Sequence, residues 1–426
     1  MLPFWGGFCI WFIKKKKEMI EVMSPVGSFE TLASAIQSGA QAVYFGLGVL
    51  NMRAKSTVNF TEEDLAKIVE ICKLHNVRSY LAINTIMYDA DIEQMHRLVD
   101  LAKQNYVTAI IASDTSVLEY ALKQGVEIHA STQLNISNVE AVKFFSKYCD
   151  VMVLARECSL DKVKYIHQEI IRQNIRGPKG ELVRLEMFVH GALCMAVSGK
   201  CYLSLHQMNY SANRGACLQI CRRGYLVTDK ETGEELAIEN EYIMSPKDLC
   251  TIEFLNEILD AGVEVLKIEG RARPPEYVKL TTEVYCNAVK EILNGTYTKQ
   301  KALKDKERLS EVFNRGFWNG YYLGQRLGEW TDTHGSKAKY HKEFIGVVNN
   351  YFSKISVAEV YLNSGKLSVG DTVLIIGQTT GTLETEIKEI RFDLKPVETA
   401  FKGQVISIPV PELVRRGDKI YLRVEN

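Results

Sequence analysis

From Ile20 to Arg271 the chain alternates short apolar runs with amphipathic stretches, and this rhythm restricts the fold more than any single motif. The apolar runs fall at 20–23, 42–45, 78–83, 109–112, 127–130, 151–155, 186–189 and 265–268. Between them, 29–38, 64–74, 92–103, 116–123, 139–148, 160–172 and 252–261 carry helical spacing. Thr61, Glu62 and Glu63 resemble an N-cap with an acidic first turn ahead of 64–74, and Asp114 with Thr115 resembles a cap ahead of 116–123. Short, nearly continuous apolar runs suit strands buried on both faces, and regular alternation with helices calls for a parallel sheet. Eight such units predict an α/β fold, a TIM-like (β/α)8 barrel. An open doubly wound sheet is the alternative, but no G-x-G-x-x-G turn follows the first strand. Barrel chemistry sits at the carboxyl ends of the strands. Asn84, Asp114, Gln133, Arg156, Glu157, His190, Glu269 and Arg271 are therefore expected on one rim.

Only the interval between the seventh and eighth runs is long. It holds four of the ten cysteines, Cys194, Cys201, Cys217 and Cys221, separated by six, fifteen and three residues. A strand that feeds four thiols into one glycine-bearing loop is a metal-site arrangement, and thiolates select zinc, copper(I) or iron–sulfur clusters. Structural zinc prefers paired C-x2-4-C knuckles, and only Cys217-x3-Cys221 has that spacing. Wider, uneven gaps suit a cluster whose irons present corners in different directions. Buried cysteines acting as small apolar side chains are the bland alternative. A hairpin is expected over 225–238, with its turn at Glu231, Thr232, Gly233 and Glu234.

The formal net charge is zero and 46% of residues are hydrophobic, which describes an ordinary globular chain and not a protein that merely coats nucleic acid. Free thiols without a secretory signal point to a reducing, cytoplasmic setting. In residues 1–18 an apolar run precedes four lysines, the reverse of a signal peptide, and the run is too short to span a bilayer. No membrane role is expected. That stretch reads as a disordered leader, or as a start assigned upstream of Met19. The barrel is expected over 19–295, followed by a polar connector at 296–342. The connector carries the basic run Lys299, Lys301, Lys304, Lys306 and Arg308, read as a solvated linker, and the aromatics Phe313, Phe317, Trp318, Tyr321 and Tyr322. Over 343–426 the pattern changes to period two with turn signals, which predicts a small all-β barrel domain.

Several stretches resemble peptidase family U-32, the collagenase-like family. FVHGALCMAVSGKCYLS at 188–204 is similar to its signature, and MSPVGSFETLASAIQSGAQAVYFGL at 23–47 to its opening, with Val26 where alanine is usual. Met52-Arg53-Ala54, Asn59-Phe60-Thr61, Ser245-Pro246-Lys247-Asp248-Leu249, Lys267-Ile268-Glu269-Gly270-Arg271 and Phe313-Asn314-Arg315-Gly316-Phe317 resemble further family motifs. The layout is most similar to the tRNA hydroxylation branch. That resemblance implies a [4Fe-4S] cluster on Cys194, Cys201, Cys217 and Cys221, with Cys250 as a rival fourth ligand. It implies tRNA as partner, prephenate as an organic-acid co-substrate, and oxygen-independent formation of 5-hydroxyuridine at the wobble position. A collagenase-like peptidase, a hydroxylase of ribosomal RNA or of a ubiquinone precursor, and a zinc-stabilised RNA-binding module are the other functions carried forward.

His190 stands four residues before Cys194, a candidate acid or base; Glu269 and Arg271 follow the eighth apolar run two residues apart, so they share a face if the strand continues that far. Arg53 and Arg156 are candidates to hold a dicarboxylate, because a guanidinium fork matches a carboxylate; an ordinary ion pair with Glu157 or Asp114 is the alternative. Arg214, Arg222, Arg223, Arg271 and Arg273 are expected as a basic collar for RNA, with Tyr202, Tyr210 and Tyr225 available to stack an unpaired base. Glu186, at the start of its strand, is expected to support the bottom of the barrel.

Overall fold

A computed structural model describes residues 20–55, 59–226, 230–232, 242–325 and 328–426. The expected leader at 1–18 and most of the expected hairpin lie outside the described residues.

Eight parallel strands close into a barrel. They are β1 (Glu21–Pro25), β2 (Ala42–Phe45), β3 (Arg78–Ile83), β4 (Ala109–Ala112), β5 (Ile128–Ala130), β6 (Val151–Val153), β7 (Arg184–Gly191) and, after an intervening strand, β9 (Val263–Ile268). Each pairs with the next, and β9 pairs with both β7 and β1 to seal the ring. Helices α1 (Phe29–Gln37), α2 (Asp64–Leu74), α3 (Ile92–Gln104), α4 (Thr115–Lys123), α5 (Val139–Phe145) and α6 (Leu160–Arg172) follow the first six strands. Local chemistry starts several of them. Ser28 and Thr31 form a reciprocal capping box on α1, and the Asp114 and Asn138 side chains accept the Ser116 and Ala141 amides. At α2 the roles are reversed from the expected cap: Glu63 makes no capping bond, and the Asp64 carboxylate instead accepts from the Thr61 amide and hydroxyl.

Side chains alternate along each strand between two cores. Val22, Val43, Leu81, Ile110, Leu185 and Leu266 pack outward against the helices. Met23, Tyr44, Tyr80, Ile111, Val151 and Val265 fill the interior. Ionic groups complete that interior. Fully buried Glu186 lies 2.7 Å from Lys267 and 3.2 Å from His129, and the Tyr80 hydroxyl donates to Glu21 at 2.7 Å. Burial alone would raise Glu186, but Lys267 and His129 outweigh it and hold the carboxyl below its usual range.

Two short strands escape a reading by periodicity. β8 (Asp248–Cys250) adds antiparallel to the end of β7, placing Cys250 opposite His190, and β10 (Phe317–Trp318) adds parallel to β8. The expected helix at 252–261 is a single 3-10 turn followed by α8 (Leu255–Asp260). The long helix α9 (Pro275–Leu293) then lies against α1. The basic run is not a solvated linker. It forms α10 (Lys299–Leu309), which buries Ala302 and Leu309 and pairs Lys301 with Glu291, Lys306 with Glu253 and Arg308 with Glu283.

The C-terminal region is antiparallel: β11 (Tyr340–Phe352), β12 (Val357–Leu362), β14 (Thr372–Gly377), β15 (Gly381–Glu386), β16 (Ile390–Phe392), β17 (Lys395–Val397), β19 (Val405–Pro409) and β20 (Lys419–Glu425) form one sheet, and β13 (Lys366–Ser368) pairs with β18 (Thr399–Phe401). Its core is separate, with Val348, Val360, Leu362, Ile375, Ile408 and Ile420 fully buried. It docks on α1 and α9: the Ser34 and Thr382 hydroxyls meet at 3.0 Å, and Lys279 reaches the Thr382 carbonyl at 2.8 Å.

Candidate metal centre and active site

β7 delivers the cysteine loop to the barrel mouth. Its last residue, Gly191, has φ +102°, and a Cβ there would meet the Glu269 carbonyl at 2.4 Å, so the strand can leave the sheet here only through glycine. The loop then folds as α7 (Leu203–Met208) and two 3-10 turns at Ala212–Arg214 and Ile220–Arg222. Arginines pin it. Arg222 donates to the carbonyls of Leu193 at 2.5 Å and Pro246 at 2.6 Å. Arg214 pairs with Asp91, donates to the Ile86 carbonyl at 2.8 Å and stacks 4.1 Å over the Tyr88 ring.

The described cysteines divide into two sets, all of them free. Cys72, Cys149, Cys158, Cys250 and Cys286 are buried, whereas Cys194 is exposed and Cys201, Cys217 and Cys221 are half-buried. The loop thiols share one electrostatic neighbourhood. Burial raises Cys221 first, and the charges of Cys217, Cys194 and Cys201 raise it further. Cys250 is pushed up to about 11 by burial and meets the Tyr285 hydroxyl at 4.0 Å. A tetrahedral zinc with Zn–S near 2.3 Å needs sulfurs about 3.8 Å apart. Among the described residues no three His, Cys, Asp or Glu side chains are gathered as a single ion needs. Four solvent-reachable thiols without a partnering histidine fit the donor set of a larger iron–sulfur cluster.

Below these thiols lies a chamber of about 790 Å³, counting its open mouth. Cys194, Cys201 and Cys217 line it together with Asn84, Gln133, Arg156, Glu269 and Arg271 from the predicted rim, and with Arg53. Arg53 grips Glu269 with Nη2 at 2.5 Å and Nε at 3.2 Å, a pair joining residues 216 positions apart. Burial would raise the Glu269 carboxyl, but Arg53, Arg156 and Arg271 pull it down to about 2. Arg53 is held well above its ordinary value by Glu269 first, with Cys194 and Cys217 adding to the effect. Arg271 is buried, which lowers it to about 10, and donates to Asn51 Oδ1 at 3.0 Å. Arg156 lies 3.9 Å over the Phe188 ring and donates to the Ala192 carbonyl at 2.9 Å. Lys267 and Tyr44 also line the chamber and were not singled out from the sequence, although Lys267 stands two residues before Glu269; the strand itself ends at Ile268.

Other expected residues lie elsewhere. His190 is 1% exposed and does not line the chamber. The register of β7 against β9 shifts between Phe188 and His190, and β8 covers the strand end. The imidazole sits 5.5 Å from the Tyr285 ring and 5.6 Å from the Phe317 ring, and burial, aided by Arg273, pushes it down to about 3. A ring kept neutral under a strand is placed to hold β7, β8 and α9 together, not to exchange protons with substrate. Asp114 caps α4 and accepts the Met87 amide at 2.9 Å, and Glu157 faces a neighbouring cleft. The collar does not form. Arg214 and Arg222 are spent on the loop, Arg273 lies 3.6 Å from Asp248 and 3.6 Å over the Phe313 ring, and Arg223 is exposed outside the chamber. Tyr202 and Tyr210 are exposed, while the Tyr225 hydroxyl is tied to the Ile220 carbonyl at 2.7 Å. Among the described residues no helix is long and apolar enough to cross a membrane.

The class defined here is a parallel barrel whose last interval carries a four-thiol loop over a cationic chamber. The model of peptidase family U32 matches residues 27–332, and the chain belongs to that family. A collagenase of Porphyromonas gingivalis is 58% identical over 401 residues, covering 94% of this chain and 97% of that protein. The tRNA hydroxylation protein P1 of Bacillus subtilis is 30% identical over 344 residues, covering 78% of this chain and 77% of that protein. A 23S rRNA 5-hydroxycytidine synthase of Escherichia coli is 33% identical over 320 residues, 73% of this chain and 46% of that protein.

Proposed function

We propose that the chain is an iron–sulfur tRNA hydroxylase that forms 5-hydroxyuridine at the wobble position, using prephenate as co-substrate and no molecular oxygen. The observation that carries this reading is the division of the cysteines. Among the described residues the four non-buried thiols are the four of the loop, and three of them line a chamber that also carries Arg53, Arg156, Lys267 and Arg271. Cys194, Cys201, Cys217 and Cys221 would hold a [4Fe-4S] cluster, which supplies one-electron chemistry when bound. The chain's own groups then have separable tasks. Arg53 and Glu269 form a rigid pair beside the thiols. Arg156 and Arg271 stand on the chamber wall without an ion-pair partner among the described residues, and suit the two carboxylates of an organic acid. Relatives named for tRNA hydroxylation and for rRNA 5-hydroxycytidine synthesis support an RNA substrate.

A collagenase-like peptidase is the second reading, favoured by the name of the 58% identical relative. A thiol peptidase needs a base against its nucleophile. His190 is buried against Tyr285 and Phe317 and kept neutral, which weighs against that pairing. Two measurements decide. Protein purified without oxygen is assayed for iron and sulfide, and tRNA from a strain lacking the gene is analysed for 5-hydroxyuridine. About four irons with loss of the nucleoside is the expected result. Metal-free protein that degrades gelatin, with tRNA unchanged, would overturn the hydroxylase reading.

A further inference from the structure

The chamber has two unlike sides. In the closed ring of strands β4 stands across from β9, with the same number of pairings between them in either direction. β9 brings Lys267 to the chamber and, three residues past its end, Arg271. The neighbours of β4 contribute no charge there. β3 is followed by Asn84, and β5 by Ser131 and Gln133, all three on the chamber wall. Between the two sides the lining is apolar, with Ala82, Ile111 and Phe188. A ligand that crosses the chamber therefore passes from cations, over apolar surface, to neutral polar groups.

The neutral side is ordered donor by donor. The Met52 amide donates to Asn84 Oδ1 at 3.1 Å, which leaves the Asn84 amide nitrogen to donate toward β5. That nitrogen lies 3.4 Å from Ser131 Oγ and 3.5 Å from Gln133 Oε1, and the Ser131 hydroxyl also donates to Gln133 Oε1. Turned the other way round, the Gln133 amide would set its nitrogen against the Asn84 nitrogen, donor against donor. Its oxygen is thus committed to the wall. Its nitrogen has no partner among the described residues and is not sealed from solvent, because Gln133 is only half-buried. The stem of the side chain is covered by the thiol loop: a Cβ on Gly199, at φ +77°, would meet Gln133 Cγ at 2.7 Å. A donor held at its oxygen and along its stem loses little freedom when a ligand arrives.

We infer that Gln133 is a specificity-determining donor of the chamber, meeting a neutral oxygen at the end of the organic acid remote from the carboxylate on Arg271. This rests on the organic-acid reading above and adds to it what kind of acid is taken: an anionic head, an apolar body and an uncharged hydroxyl or keto oxygen at the tail. An acid without the tail oxygen leaves the amide facing apolar surface, and that loss is the source of the discrimination.

The test is isothermal titration of the full chain, purified without oxygen, with two acids that differ by one hydroxyl at the tail, 4-hydroxyphenylpyruvate and phenylpyruvate. Wild type is expected to bind the hydroxylated acid about 3–10-fold tighter, the worth of one hydrogen bond. Gln133→Met keeps the length of the side chain and removes the donor. It should bring the ratio to unity while phenylpyruvate affinity stays within about twofold, which reports an intact chamber. Ser131→Ala, which frees the amide to turn, should lower the ratio part of the way. Equal binding of the two acids by wild type would overturn the inference and leave the organic-acid reading standing. Equal weakening of both by Gln133→Met would make the residue a support of the thiol loop and overturn it too, as would binding of prephenate without 4-hydroxyphenylpyruvate. Failure of wild type to bind either acid or prephenate would remove the organic-acid reading and the inference together.

Discussion

The barrel interior and the loop above it handle polar groups in opposite ways. Below the chamber, Glu186 is shared between Lys267 and His129, and Tyr80 donates to Glu21. At the mouth, four thiols reach solvent or each other's fields. Paired buried charges rigidify, whereas accessible thiols are open to a ligand. The comparison therefore assigns stability to the interior and chemistry to the mouth, and substitutions can break that assignment.

The largest expected effect is on the loop. Cys194→Ser or Cys221→Ser should abolish retention of iron and sulfide in anaerobic protein, while Cys250→Ser should retain both; elemental analysis separates them. Next comes the interior. Glu186→Ala leaves Lys267 buried without its carboxylate, and should cost about 3–5 kcal/mol in denaturant unfolding. The same measurement on Cys194→Ser should show under about 1 kcal/mol in the metal-free protein, because that thiol is exposed.

Arg53→Gln should reduce hydroxylation about 10–100-fold, the equivalent of one lost charged hydrogen bond of about 1.5–3 kcal/mol, with little change in the thermal midpoint. An equal loss of stability would move this pair into the structural class. His190→Phe should leave activity at neutral pH within about twofold. The effect of His190 is expected in the acid limb of stability. The unfolded imidazole takes its proton near pH 6.5, the folded one only near about 3. Between those values the unfolded chain binds more protons, so wild-type stability falls with falling pH, by up to about 1.4 kcal/mol per pH unit from this group. The variant should lose that contribution to the slope. The smallest effect is expected from Arg223→Ala, under about 0.5 kcal/mol in stability and at most one unit in the salt slope of RNA binding.

The barrel was legible because its strands are apolar runs between helices that begin with readable caps. β2, β3 and β4 run where periodicity alone puts them, and the others differ by a few residues at their ends. β8 was not legible: three residues carry no period, and Asp248–Cys250 is a strand only because β7 leaves an edge for it. Of the site, the four thiols were visible as spacing. The Arg53–Glu269 pair was not, since the motifs bearing its two members lie 216 residues apart. His190 shows the opposite failure. Its place before Cys194 suggested chemistry, but a register shift in β7 sends its ring into the core.

The docking of the C-terminal sheet on α1 and α9 also bears on how the chain is made. Those helices flank the seam where β1 meets β9, and these two strands are separated by about 240 residues. At 5–20 residues per second, synthesis of that interval takes roughly 12–50 s, and β15, which carries Thr382, follows roughly 6–24 s later. The first strand thus leaves the ribosome as the open edge of a growing sheet and stays open until the ninth arrives. Glu21 at its start and Pro25 at its end give this nascent edge a charge and a missing donor, the features that discourage pairing with a neighbouring chain during the wait.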